Sequence, residues 1–335
     1  MPQPTFQDVH INAPLTNISI AYLTNPNDYI ADKVFPVVPV PKASNIYFTY
    51  DRGAWFRDEA QIRVDGTESV GSGYTISQST YNCNAWSLHK DVGPMLRANS
   101  DNPLDADRDA TIFLTQRLAI TRERQFTSKF FGTGIWTGST TGGDITPTTK
   151  WDVANSIPVE DIEAQSFNIK QLTSIFPNRL VLGTSTYKAL KNHDEFLQRI
   201  KYTERGIITP DVMASVLAPP NQPESPDDQF KVYVASSVYN SAHEGAADSM
   251  AFSATTTGAL LCYANPNPGI MAPSAGYIFT WTPIAGYIAQ VKQIQMPWLG
   301  TDANGRPTTR IEAEMSFDQK VVAPGMGAYF TAAVS

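Results

Sequence analysis

One long helix signal constrains this chain more than any other feature. Twenty-four prolines and 21 glycines spread over 335 residues imply many turns and short strands, and they leave few segments able to hold a long helix. Residues 102–131 are such a segment. Asn102 suits an N-cap and Pro103 the first helical position. Asp105, Asp107 and Asp109 fall where the helix dipole favours acids, and Arg122, Arg124 and Lys129 fall where it favours bases. Ala110, Phe113, Leu114, Leu118 and Phe126 recur at helical spacing, and Gly132 stops the run. The predicted helix has about 28 residues and, at about 1.5 Å each, a length of roughly 42 Å.

Composition sets the scale. Domains of about 100–200 residues make two or three compact units the expectation. Apolar residues make up 42% of the chain, enough for a buried core. The net charge of −7 and the absence of a basic run argue against a nucleic-acid grip, which needs cations to displace counterions from phosphate. Cys83 and Cys262 lack disulfide or zinc spacing and are expected to be free thiols in a reducing compartment. Residues 1–10 show no basic stretch followed by an apolar one, so a secretory signal is not expected, and no apolar run approaches the roughly 20 residues that span a bilayer.

Before the helix, residues 1–32 read as an extended arm, since Pro2, Pro4, Pro14 and Pro26 exclude a long helix. KVFPVVPVP, residues 33–41, combines strand-forming valines with prolines that remove ladder donors, so an edge strand is expected. Residues 45–90 read as a long hairpin. One limb, 45–58, sets Ile46, Phe48 and Tyr50 opposite Tyr47 and Thr49. The other, 73–88, carries Tyr74, Ile76, Tyr81 and Trp86. The stretch between them is polar. Such a ribbon cannot bury both faces and is not stable alone.

After the helix, residues 132–150 read as a loop and 158–176 as a helix with Ile162, Ile169, Leu172 and Phe176 on one face. RLVLG (179–183) is a buried strand, 185–199 a helix, and Thr209-Pro210 opens a short helix. The remainder reads as strands near 230–235, 259–263, 277–281, 287–298 and 308–322. Asp302-Ala303-Asn304-Gly305 marks a hairpin turn between the last two.

Catalytic constellations are not apparent. His10, His89, His193 and His243 lack partners at metal spacing. FGTGIWTG follows a helix and lacks the lysine of a phosphate loop, so it reads as a helix stop and turn. Asp58-Glu59 and Asp227-Asp228 read as solvated loop acids. No metal, cofactor or catalytic residue is expected.

The order of elements (arm, hairpin excursion, long helix, α+β body, closing hairpin) resembles the HK97-type fold of tailed-bacteriophage major capsid proteins, and residues 31–60 resemble the segment entering the extended loop of phage coat proteins. The resemblance implies an α+β fold with an N-arm (1–44), an E-loop (45–90), a peripheral domain (91–208 and 287–335, with spine helix 102–131) and an axial domain (209–286). It implies hexamers and pentamers of this chain closing an icosahedral head around DNA without sequence-specific binding. It further implies a virion location, assembly in the host cytoplasm, and a separate scaffold protein, a portal and a decoration protein as partners. Trp55, Phe56, Arg57, Asp58, Glu59 and Arg63 are the expected subunit-interface residues. Some members crosslink an E-loop lysine to a neighbour; residues 43–89 contain no lysine, so that crosslink is not expected here. An encapsulin-like compartment shell and a β-rich tail or carbohydrate-binding protein are the alternatives.

Overall fold

The computed structural model describes residues 24–98, 105–201, 207–220, 225–269, 271–283, 286–301, 305 and 307–335. In chain order the elements are β1 (Val37–Val40), β2 (Ser44–Tyr50), the short turn of helix α1 (Arg52–Trp55), β3 (Ile76–Asn82), β4 (Asn84–Val92) and α2 (Pro94–Ala98). Next come α3 (Ala106–Phe130), α4 (Pro158–Thr173), β5 (Arg179–Gly183), α5 (Thr184–Lys191), α6 (Asp194–Ile200) and α7 (Pro210–Leu217). Strands β6 (Lys231–Ala235), β7 (Val238–Asn240), β8 (Met250–Phe252), β9 (Ala259–Cys262), β10 (Gly276–Trp281), β11 (Gln290–Thr301), β12 (Pro307–Val321) and β13 (Gly327–Phe330) complete the chain.

The long helix is present as α3. Asp105 caps it, its carboxylate accepting the amides of Asp107 and Arg108; the expected start at Asn102 and Pro103 lies outside the described residues. Ala110, Leu114, Leu118, Phe126 and Phe130 form its buried stripe. Phe113 does not join them. It is exposed, with Lys90 and Arg117 over its ring at 5.4 and 5.0 Å, because it lies one position before Leu114 and so about 100° round the helix from the stripe.

Strand β12 organises a five-stranded sheet: it pairs antiparallel with β4, β11 and β10, and β1 lies parallel to β10 at the edge. The edge position suits Pro39, which has no amide to donate. Ile311, Ala313, Met315 and Phe317 alternate along β12 and enter the same core as the α3 stripe. The β11–β12 hairpin forms as expected; residues 302–304 of its turn lie outside the described residues, and Gly305 takes φ +74°.

A second sheet, β13-β9-β5-β6, is buried on both faces. Leu180, Leu182, Ala259, Leu261, Ala328 and Phe330 face the helices α4–α7, whereas the alternate Val181, Leu260, Cys262 and Tyr329 face the core shared with α3. This explains why RLVLG is a continuous apolar run rather than an alternating one. The packing therefore does not divide at 208/209 or 286/287. Residues 158–217 share one core with β5, β6, β9 and β13, while β10 belongs to the β12 sheet. The helix expected over 185–199 is broken between α5 and α6, because the His193 Nδ1 accepts the Glu195 amide and caps α6 in place of a through-running ladder.

The FGTGIWTG loop is a packing device. The Trp136 indole donates to the Phe130 carbonyl at 2.7 Å, and the Gly138 amide donates to the Gly327 carbonyl at 2.8 Å. A Cβ on Gly327 would stand 2.3 Å from the Trp136 ring. Gly327→Ala is therefore expected to lower stability by about 1–3 kcal/mol, the usual cost of overpacking. Gly71→Ala, with open space around it, is expected to change stability by less than about 0.5 kcal/mol. Urea denaturation of both variants checks the contrast.

Candidate functional site

Strands β2 and β3 form a separate two-stranded ribbon, in register from Ser44↔Asn82 to Tyr50↔Ile76. The pairing puts Tyr47, Thr49, Ser77, Ser79 and Tyr81 on one face and Ile46, Phe48, Tyr50 and Ile76 on the other. The first face is anchored at its base. Tyr81 stacks on Phe279 of β10 at 4.6 Å, Tyr47 meets the same ring at 5.6 Å, and Cys83 is buried beside them. The return limb expected to run to Leu88 leaves the ribbon at Asn82. From Asn84 it pairs with β12, where Trp86 stacks on Phe317.

Among the described residues the second face is left largely uncovered. Ile46, Phe48 and Ile76 are exposed. Past Tyr50 the chain makes the turn α1, capped by the Asp51 carboxylate, which accepts the Gly53 amide at 3.1 Å. Tyr50, Trp55 and Tyr74 then lie mutually 5.7–5.9 Å apart, as three edge-on or tilted rings. Residues 56–75 form no regular element and bury none of their side chains. A groove of about 1410 Å³ separates the ribbon from the body, with Tyr50, Trp55 and Phe56 on one wall and Ile175, Met271 and Met326 on the other.

All six residues expected at an interface lie on this exposed surface. Trp55 is 53% and Phe56 60% accessible. Arg57 pairs with Glu59 at 3.8 Å, Arg63 donates to the Thr67 carbonyl at 2.6 Å, and Asp58 is exposed. The structure brings Arg57 and Glu59 together; Arg63 braces a separate turn. Sequence reading missed the apolar residues of the polar stretch, Ile62, Val64 and Val70; Ile62 is 98% accessible. Isolated apolar residues in a segment without periodicity were the signal available. It also missed the Tyr47–Tyr81–Phe279 anchor, which joins residues some 200 positions apart.

Elsewhere one serine–histidine pair has a distance found in hydrolases: Ser156 Oγ lies 2.8 Å from His193 Nε2. Its polarity is wrong for a base. Nδ1 accepts the Glu195 amide, so Nε2 carries the proton and donates to Ser156, whose hydroxyl donates to the Val153 carbonyl. Burial pushes the Cys83 thiol up to about 11 and the Cys262 thiol up to about 12, which keeps both protonated and unreactive near neutrality. The acids of residues 227 and 228 are used structurally: Asp228 accepts from Asn178 at 2.6 Å, and Asp227 faces Lys231 at 3.9 Å. Among the described residues no helix is long and apolar enough to cross a membrane.

No family model matches the chain. Over 209 residues it is 25% identical to the major capsid protein of Burkholderia phage BcepMu, a match covering 60% of this chain; the chain spans 64% of that relative's length, just under two thirds. In structure it is similar to a phage-related protein from Bordetella bronchiseptica RB50, with a TM-score of 0.62, 18% identity, and 92% and 94% of the two chains covered. It is also similar to the capsid of cyanophage P-SCSP1u, with a TM-score of 0.59, 12% identity, and 100% and 96% covered. The fold is the α+β, HK97-like one that the order of elements implies.

The ring anchor generates a prediction. An aromatic pair contributes about 0.5–1.5 kcal/mol beyond area burial. Tyr81→Leu, which keeps an apolar side chain there and removes the ring pair, is expected to speed amide exchange in β2 and β3 by roughly two- to twelvefold, the kinetic equivalent of that energy. Exchange in β5 stays unchanged. Peptide-resolved hydrogen exchange reads both.

Proposed function

We propose that the chain is the major capsid protein of a tailed bacteriophage, a structural subunit whose copies form hexamers and pentamers of an icosahedral head. The observation that carries this reading is the ribbon: eight large apolar side chains (Ile46, Phe48, Trp55, Phe56, Ile62, Val64, Val70 and Ile76) are exposed on one excursion that has no core of its own. So many large apolar side chains exposed on one excursion favour an interaction site. The similarity of nearly the whole chain to a phage capsid and the sequence relation to a phage major capsid protein supply the partner: further copies of the same chain.

The energetics favour a closed assembly. Fully burying one large apolar side chain contributes about 1.5–3 kcal/mol. Covering half of the eight gives roughly 6–12 kcal/mol per copy, against an association cost of about 4–15 kcal/mol. One contact alone is marginal. A subunit held by several neighbours at once is not, because each later contact is intramolecular. In this reading the E-loop is the ribbon with its exposed tip, lying on an adjacent copy. In this reading the peripheral unit, expected over 91–208 and 287–335, is built around α3, β4, β10, β11 and β12, and the axial unit, expected over 209–286, around α4–α7 with β5, β6, β9 and β13, which the two separate apolar cores support. The negative net charge suits a container that does not clamp its DNA. A scaffold protein, a portal and a decoration protein belong to the same reading, as do assembly in the host cytoplasm and residence in the virion. The capping role of His193 and the protonated thiols favour a structural over a catalytic chain.

Two outcomes follow. Replacing residues 51–75 by Asn-Gly, which fits the Tyr50↔Ile76 end of the ladder as a two-residue hairpin loop, is expected to leave a folded body that forms no closed shells. Electron microscopy reads this, and normal particles from the shortened chain would refute the assignment. Because residues 43–89 contain no lysine, particles are expected to dissolve to single chains on a denaturing gel; covalent ladders would contradict this. Packaged DNA rather than protein cargo separates the phage head from a compartment shell.

A further inference from the structure

Among the described residues, Glu123 is the one acidic side chain wholly removed from solvent, at 0% exposure. It lies in the last third of α3, and its carboxylate does not hold a helix partner. It holds the incoming arm. Glu123 Oε2 accepts the amides of Ile30 and Ala31 at 3.1 and 2.9 Å, and Oε1 accepts the Ile30 amide more weakly at 3.3 Å. The arm is fastened on both sides of this point. Gln116 reaches Thr24 at 3.5 Å, Tyr287 Oη donates to the Ala31 carbonyl at 2.9 Å, and Phe35 packs on Phe130 at 4.5 Å.

The cation nearest by sequence is engaged elsewhere. Arg122 pairs with Asp32 at 3.6 Å and lies 4.9 Å from the centre of the Tyr287 ring. The carboxylate thus sits among arm amides and, among the described residues, makes no ion pair of its own. Both arm amides can rest on Oε2 alone, which leaves Oε1 free to carry a proton without breaking the contact.

We propose that Glu123 is a proton-coupled latch on residues 28–35: the neutral carboxyl holds the arm on α3, and loss of its proton to water loosens it. Burial pushes the Glu123 carboxyl up to about 7 from an ordinary 4.5, against the lowering effect of the two arm amides and of Arg122. With the arm undocked the carboxyl meets water and titrates in its ordinary range. The docked state therefore binds the proton more tightly. Its advantage is complete below the ordinary value and is lost as pH rises through about 7. The other titratable groups about the site are Asp28, Tyr29, Asp32 and Lys33 on the arm, Arg122 on α3, and Tyr287. Burial raises both phenols, which keeps them neutral across this range. The latch requires nothing of what the chain assembles into.

Hydrogen exchange of the full chain at pH 6.0 and 8.5, corrected for intrinsic rates, tests this. Protection of peptides spanning residues 26–36 is expected to fall by about tenfold between the two conditions, as follows from titration at about 7 docked and 4.5 undocked. Protection at residues 179–183 stays constant. Glu123→Gln is expected to hold residues 26–36 with no such pH dependence. Equal wild-type protection at the two pH values overturns the proposal, as does a pH dependence that survives in Glu123→Gln. Should that variant fail to fold, the wild-type profile decides alone: a fall centred near pH 7 supports the latch, and a flat or rising profile overturns it.

Discussion

The stripe of α3 that carries Ala110, Leu114, Leu118, Phe126 and Phe130 packs on the face of β12 that carries Ile311, Ala313, Met315 and Phe317, and the rest of the chain is suspended from that contact. The arm docks on α3 through Glu123 and Phe35. The ribbon is tied to β12 indirectly, because its return strand continues into β4, which pairs with β12 over residues 309–317. The second sheet presents Val181, Leu260 and Tyr329 to the same core. A helix of 25 residues gives a rigid bar of roughly 38 Å at about 1.5 Å per residue, long enough to hold all three at once.

The same chain treats apolar side chains in two opposed ways. In the body they are paired across sheets and helices, and the four-stranded sheet is covered on both faces. On the ribbon they are left in solvent past the anchor formed by Tyr47, Tyr81 and Phe279. A two-stranded ribbon has no interior, so nothing within it can cover Ile46, Phe48 or Ile76. The anchor fixes where the ribbon leaves the body and does not extend to its tip. That division fits a subunit whose missing cover comes from other copies of itself. It also accounts for a polar tip segment whose few apolar side chains have no packing of their own.

Legibility in the sequence followed the range of the interactions. Helix α3, the Thr209-capped α7 and the RLVLG strand were readable because caps, periodicity and apolar runs act over a few residues. Alternation in β2 gave the two faces of the ribbon. What escaped depends on distant partners. Phe113 shares the period of the buried stripe but turns outward beneath two cations. The core that α4–α7 share with β5, β6, β9 and β13 was not legible, because it joins β5 to strands as far away as β13, some 150 residues downstream. Glu123 reads as an ordinary helix-surface acid, and only the arm's amides, some 93 residues away, reveal its use. The six expected interface residues were readable as exposed because their stretch is polar, whereas Ile62, Val64 and Val70 in the same stretch had no pattern to mark them.

The account rests on where the tip of the ribbon finds its cover. Electron cryomicroscopy of the purified full-length chain addresses this directly. The account predicts closed shells in which residues 56–75 lie against an adjacent copy. Small oligomers or single chains, with those residues packed into the groove of their own body, would contradict it.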